Sequence, residues 1–293
     1  MDPELGQRFD RHRDQLRGVA YRMLGSLAEA DDAVQETWLR LAAADTGRID
    51  NLPAWLTTVV SRVCLDQLRT RRTRREDLTG PPPADAPAPD PTPEDEAVLV
   101  DSVGRALLVV MSRLTPDERI AFVLHDLFAV AFDDIAPVVD RTPATTKKLA
   151  SRARGKVRGH PDIPATELAR HRRTIERFRT AARTGDLDAV LEVLSPTVIR
   201  RADRSAIGPA RPAEAHGATT VAGEIATFGR TTRFATPLLV DGTPGLAIAP
   251  HGRLRLIVRF AFDADRIAGY DLIADPTHLR RLRLAMLPET GPA

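Results

Sequence analysis

Phe9, Leu16, Val19, Ala20, Met23 and Leu24 recur at the three- and four-residue spacing of a helix with one buried face. A second apolar stripe, Ala33, Val34, Thr37, Trp38 and Leu41, predicts a helix over about 28–43. Its opposite face carries Asp31, Asp32, Gln35 and Glu36. A third helix is expected over 53–72. Pro53 suits a first turn, where its missing N–H costs nothing, and Asn51 stands where a capping side chain belongs. Residues 95–113 predict another helix, and Thr115-Pro116-Asp117-Glu118 has the cap, proline and acids of a helix start. A short helix over 132–139, a turn over 140–143 and a longer helix over 144–157 follow.

Beyond residue 160 the period changes. Helices are expected at 168–185, where Gly185 terminates the first, at 187–194 and at 216–230. Strand-like runs fall at 197–201, 234–240, 245–249, 254–262 and 266–273, and a closing helix follows Asp275-Pro276. The near-strict alternation in RLRLIVRFAF (253–262) buries one face of that strand. Helices followed by a curved antiparallel sheet predict an α+β unit. The fold class is therefore multidomain, with two all-α domains and a C-terminal α+β domain.

Seven prolines lie in TGPPPADAPAPDPTP (79–93), which can form neither a helix nor a central strand and reads as an extended, semi-rigid linker. A second break is expected at GHPDIP (159–164). The expected domains are 7–77, a linker at 78–94, 95–160 and 165–287.

The chain has 293 residues, 43% of them hydrophobic, which is enough for packed cores. Its single cysteine, Cys64, excludes a disulfide framework and a cysteine-rich zinc site, and reads as a buried small hydrophobe. The seven histidines lack paired spacing, so neither a metal site nor a cofactor is expected. No apolar run approaches the roughly 20 residues of a membrane span. The polar start MDPELGQRFDRHRD lacks a signal core, so a cytoplasmic protein without a membrane partner is expected.

Forty-two Lys and Arg against 40 Asp and Glu leave a net charge of +2. That sum hides segregation. EADDAVQE (29–36) holds acids and no base, whereas RTRRTRR (69–75) and residues 143–158 hold bases and no acid. Such blocks are either separate interaction surfaces or solvated helix faces.

Residues 119–157 have the layout of a helix-turn-helix. On its last helix, Thr146, Leu149, Ala153 and Val157 fall on one face. Thr145, Lys147, Lys148, Ser151, Arg152 and Arg154 lie mostly outward, where lysine and arginine can neutralise phosphates or pair with guanine edges. An ordinary amphipathic helix with a basic face is the alternative. Pro137 inside the short helix and Asp140 in the turn, where glycine would more easily turn left-handed, depart from the simplest pattern.

Three segments together resemble the extracytoplasmic-function (ECF) RNA polymerase sigma factors. AYRMLGSLAEADDAVQETWLRL (20–41) is similar to regions 2.1–2.2 of that family. NLPAWLTTVVSRVCLDQLRTRR (51–72) is similar to regions 2.3–2.4, and residues 113–158 to region 4. The resemblance implies that Asp31, Asp32, Gln35, Glu36 and Trp38 dock on the β′ clamp helices of core polymerase. It implies that Asn51, Arg62, Arg69, Arg71 and Arg72 engage the promoter −10 element, with a flipped base held near Asn51. Thr145, Lys147, Lys148, Ser151, Arg152 and Arg154 would read the −35 element. Trp55 is expected in the core. The nucleotide chemistry belongs to the polymerase, so the chain itself is not expected to be an enzyme.

The C-terminal pattern resembles a SnoaL-like polyketide-cyclase domain, a cone-shaped α+β barrel that often carries a pocket. A subgroup of ECF sigma factors bears this fusion, which implies regulation in cis. The expected glycine-rich motif after the first strand reads DRSAIG here and keeps only Asp203; the linker lacks a WLPEP-type motif, and the terminal motif reads DPTHL (275–279). Two other readings stay open. One is a small-molecule-binding or cyclase-like domain that uses the sigma module as output, with an unknown small ligand and Asp203, His216, Arg259, Tyr270 and Asp271 as candidate residues. The other is a DNA-binding regulator that acts without core polymerase.

Overall fold

The computed structural model describes residues 3–77, 102–208, 211–228 and 234–288; the linker expected at 78–94 lies outside them. The chain forms two compact units, Met1–Asp90 with Arg113–Gly155, and Pro91–Ser112 with Lys156–Ala293.

The first unit begins with helices α1 (Pro3–Leu24), α2 (Leu27–Ala43) and α3 (Leu52–Asp77). Phe9, Leu16, Val19 and Met23 of α1 meet Ala33, Val34 and Leu41 of α2 and Leu56, Val60 and Cys64 of α3 in a buried core. The Phe9 and Trp38 rings lie 5.1 Å apart, so Trp38 is half-buried. Asn51 caps α3, its Oδ1 accepting from the Ala54 N–H at 3.2 Å. Burial pushes the Cys64 thiol up to about 12, as befits a packed, unreactive cysteine. Trp55 is half-buried, on the flank of the core expected for it.

Helices α5 (Pro116–Phe122), α6 (Phe132–Val139) and α7 (Pro143–Arg158) supply the helix-turn-helix, with α4 (Ser102–Met111) preceding them in the chain. Thr115 and Glu118 close a reciprocal capping box at the start of α5. A π turn over Val123–Leu127 extends it. Pro137 sits inside α6 near its end, and Asp140 takes the left-handed conformation itself (φ 56°, ψ 53°). Both irregularities are thus accommodated. Aspartate tolerates this backbone better than most residues, though less well than glycine.

The second unit is α+β. Helices α8 (Ala165–Thr184) and α9 (Leu187–Val193) lead into β1 (Leu194–Ala202), a short helix α10 (Arg204–Ile207), β2 (Glu214–His216) and α11 (Ala218–Phe228). Strands β3 (Ala235–Val240), β4 (Thr243–Ile248), β5 (Leu256–Asp263) and β6 (Arg266–Ile273) follow, then α12 (Pro276–Arg281) and β7 (Leu284–Ala285). Among the described residues the sheet order is β2-β1-β6-β5-β4-β3-β7. The expectation of an antiparallel sheet needs one correction: β1 and β6 pair parallel, because the chain builds four further strands before β6 returns to β1's side. Strand β5 alternates as predicted from Val258 on, with Val258 and Phe260 inward and Arg259 and Ala261 outward. Ile175 and Phe178 of α8, Val190 and Val193 of α9 and Val221 and Ile225 of α11 fill the core with Val258, Phe260 and Tyr270.

Contacts cross two of the expected boundaries. Helix α4, expected to share a domain with the helix-turn-helix, belongs to the second unit and lies against β3 and β7, with Ala106, Leu108, Val109, Val110 and Met111 buried. The segment at 159–164, expected as a break, is bonded into the same unit. The Asp162 N–H donates to the Gly242 carbonyl (2.8 Å), the Met286 N–H donates to the Val157 carbonyl (2.8 Å), and Arg283 pairs with Asp162 (3.1 Å). Gly159 has φ 58°, and a Cβ there would collide with that of Ala285, so this junction requires glycine twice over.

Arg200 is the largest fully buried side chain of this unit. It forks onto the Glu224 carboxylate (3.0 and 2.8 Å) and donates to the Pro212 and Ala213 carbonyls. Burial alone would raise the Glu224 pKa, but the hydrogen bonds and charges of Arg200 and Arg211 outweigh it and hold it below the ordinary value. A depressed carboxylate stabilises the fold above its unfolded pKa, about 4.3, and that contribution fades as pH falls through the lower folded value. Glu224→Gln should cost about 3 kcal/mol near neutral pH by stranding Arg200, and should flatten the loss of stability below pH ~4; denaturant titrations at several pH values check both. Asp140→Gly should stabilise the first unit by about 0.5 kcal/mol, read as a raised thermal midpoint, whereas Asp140→Ala should give no gain.

Candidate functional site

Helix α2 is capped by Ser26, whose hydroxyl accepts from the Glu29 N–H. Its apolar stripe faces the core, so its acids are turned outward. Asp32 and Gln35 are exposed. Asp31 pairs with Arg17 at 2.7 Å and Glu36 with Arg40 at 3.0 Å, both near the surface. Trp38 turns partly inward onto Phe9 and contributes less to this face than expected. Leu39, which the sequence reading passed over, is 55% exposed beside the acids. The face is acidic with one apolar projection, suited to a basic partner.

Helix α3 sorts its arginines by face. Arg62 and Arg69 are two turns apart and share one side. Arg62 donates to the Pro137 carbonyl at 3.1 Å, and Arg69 pairs with Asp117 at 2.9 Å. Arg71 points the other way, onto the Glu29 carboxylate and the Leu24 carbonyl. Arg72 is exposed. Asn51 spends its side-chain oxygen on the helix cap. The five residues expected to act together are therefore spread over the cap and two faces of one helix. Asp117, which carries no signal in the sequence beyond its place in a helix start, also approaches Arg141 at 3.7 Å.

Helix α7 starts at a cap that the sequence reading missed. The Thr142 hydroxyl accepts from the Thr145 N–H (3.3 Å) and lies 3.0 Å from the Thr145 hydroxyl. Thr146, Ala150, Ala153 and Val157 are buried and Leu149 is half-buried, which leaves Thr145, Lys147, Lys148, Ser151 and Arg152 exposed. Arg154 departs from that set: it is half-buried and pairs with Asp126 at 2.6 Å, so it braces the helix. Its position between the two faces made it look like part of the basic one.

In the second unit the five candidate residues do not all converge. Asp203 caps α10 and accepts from the Ala274 and Asp275 N–H groups (2.8 and 2.7 Å), so it staples β1 to the end of β6. His216 is exposed beside Glu214. Tyr270 is buried in the core, and that burial raises its pKa. Arg259 and Asp271 do meet, at 2.7 Å, and with Tyr270 they line an open hollow of about 150 Å³. Among the described residues no group of three or more His, Cys, Asp or Glu is placed to hold a metal ion, and no helix is long and apolar enough to cross a membrane.

Sigma-70 region 2 matches residues 8–74, and Sigma-70, region 4, matches residues 104–157. The probable ECF RNA polymerase sigma factor SigI of Mycobacterium tuberculosis is 40% identical over 195 residues, 66% of this chain and 67% of the relative. The ECF RNA polymerase sigma factor SigJ of that organism is 41% identical over 205 residues, 69% of this chain and 65% of the relative. The crystal structure of the Mycobacterium tuberculosis extracytoplasmic function sigma factor SigJ covers 92% of this chain and 96% of its own at 32% identity, with a TM-score of 0.43. The two Sigma-70 region matches and the 40% identity to SigI lead to one conclusion, in keeping with the basic helix-turn-helix and the acidic second helix: the chain belongs to the ECF RNA polymerase sigma factors.

Proposed function

We propose a division of labour within this sigma factor, which directs core RNA polymerase to promoters: α2 docks the polymerase, α3 engages the −10 element and α7 reads the −35 element. The observation that carries this reading is the separation of charge by helix. The exposed face of α2 holds Asp32, Gln35 and Leu39, and that of α7 holds Lys147, Lys148, Ser151 and Arg152. An acidic surface steers a basic protein and is repelled by DNA, while a basic helix does the reverse. Leu39 supplies the apolar anchor that such interfaces centre on. Within α7, Thr145 shapes the approach at the helix start, and Arg154 holds the helix in place through Asp126. The protein works in the cytoplasm, where its polymerase and promoters are, and leaves the nucleotide chemistry to the polymerase.

The C-terminal SnoaL-like domain regulates the sigma core in cis. Its hold on α4 supports this, because that helix, part of the Sigma-70 region 4 match at 104–157, lies against that domain's sheet.

Co-purification with core polymerase and promoter-specific transcripts from a genomic library test the main reading; neither appearing would overturn it. Lys147→Ala with Arg152→Ala should weaken −35 binding by roughly 1–3 kcal/mol in a titration at fixed salt. No loss would move base readout off this face. Removing residues from 165 onward uncovers the buried side of α4, and the truncated chain should still bind core polymerase through α2 but transcribe differently. Unchanged transcription from every responsive promoter would remove cis regulation.

A further inference from the structure

Helix α7 is unbroken from Pro143 to Arg158, and its last turn, from Lys156 on, belongs to the second unit. Lys156 lies one turn beyond Arg152, and Arg158 lies two turns beyond Ser151. Both are exposed and continue the exposed face of α7. The 16 residues of this helix make it about 24 Å long, twice the ~12 Å width of a DNA major groove. With the start of α7 at base edges, its last turn stands over the backbone of the duplex.

The second unit brings more bases to that turn. Residues 283–286 run beside 157–162. The Met286 N–H donates to the Val157 carbonyl at 2.8 Å, Ala285 is packed on Gly159, and Arg283 pairs with Asp162 at 3.1 Å. Arg283 is still 74% exposed. Arg280 and Arg281 come just before it, at the end of α12, and are exposed too. Across 156–164 and 280–288 there are five Lys and Arg against one acid, Asp162. Among the described residues neither Arg158 nor Arg281 has an acidic partner.

We propose that the C-terminal domain is itself a DNA contact: the basic strip from Lys156 and Arg158 to Arg280 and Arg281 holds the phosphates that flank the −35 element. This rests on the reading that α7 faces −35 DNA. It gives the domain a partner of its own, besides the sigma core that it regulates. The strip is a backbone contact and not a reader of sequence. It lies beyond the part of α7 that a groove can hold, and contacts of that kind fix register and add affinity. Four bases with a single acid among them suit a polyanion, and the strip continues a face that is basic already.

The test uses the full chain bound to core polymerase, titrated with a labelled promoter duplex at several salt concentrations. Arg158→Ala with Arg281→Ala should weaken binding roughly ten-fold and lower the slope of log affinity against log salt by about 1.8, the loss expected for two phosphate contacts. Arg158→Lys with Arg281→Lys keeps both charges and should restore the slope. Affinity for core polymerase without DNA, and the thermal midpoint, should not change in either variant. An unchanged slope in the alanine variant overturns the proposal, and so does a lysine variant no better than the alanine one. A loss of core affinity with the DNA slope intact also overturns it, because the strip then meets the polymerase. The underlying reading fails by a different result: Lys147→Ala with Arg152→Ala would then leave affinity for the promoter duplex unchanged, whatever Arg158 and Arg281 do.

Discussion

An arginine keeps its charge at any physiological pH, and its fork of N–H groups must be given oxygen, from water, phosphate or protein. This chain is rich in arginine, and the placement of its acids and free carbonyls follows from that demand. Arg71 takes Glu29 and Leu24, Arg154 takes Asp126, and Arg200 takes Glu224 with two carbonyls. Those arginines hold the fold. Arg62 and Arg69 take oxygens from α6 and α5. Lys147, Lys148 and Arg152 face solvent on α7. The first unit is thus graded from arginines spent on contacts within the fold to bases presented outright.

The small net charge follows from this grading. It is a cancellation between an acidic α2 face and basic α3 and α7, and part of it happens at contact distance. Asp117 and Asp126 neutralise Arg69 and Arg154 within the unit. A protein that must meet both a basic protein surface and a polyanion cannot be uniform in charge. In the second unit the buried Arg200–Glu224 pair does something different: it joins β1 to α11 across the core and satisfies two carbonyls of the chain leading to β2.

Much of this was legible in the sequence, because the signals were local. The caps at Asn51 and Thr115, the terminator Gly185, the buried Cys64 and the apolar stripes of α1 and α2 each depend on residues within a turn or two. What was missed depends on distant residues. Strands β2 and β7 have three and two residues, too few for an alternation to register. The pair Arg200-Arg201 gives no hint that the pleat buries one and exposes the other, or that Glu224 waits on a helix to receive it. The apolar face of α4 announced burial but not its partner, which is the sheet at β3 and β7. The basic block at 143–158 was read as one surface, yet Arg154 belongs to Asp126. The exposed residues of α2 and α7 were legible as faces; what occupies the α3 arginines was not, since Pro137 and Asp117 lie far along the chain.

The central claim is that α2 and α7 divide the partners between them by charge. The affinities of the full chain for core polymerase and for −35 DNA, measured at one salt concentration for Asp32→Lys with Gln35→Lys and for Lys147→Ala with Arg152→Ala, test it most directly. The account predicts that the α2 variant loses affinity for core polymerase and keeps it for −35 DNA, and that the α7 variant does the reverse. Equal losses for both partners in both variants would contradict it.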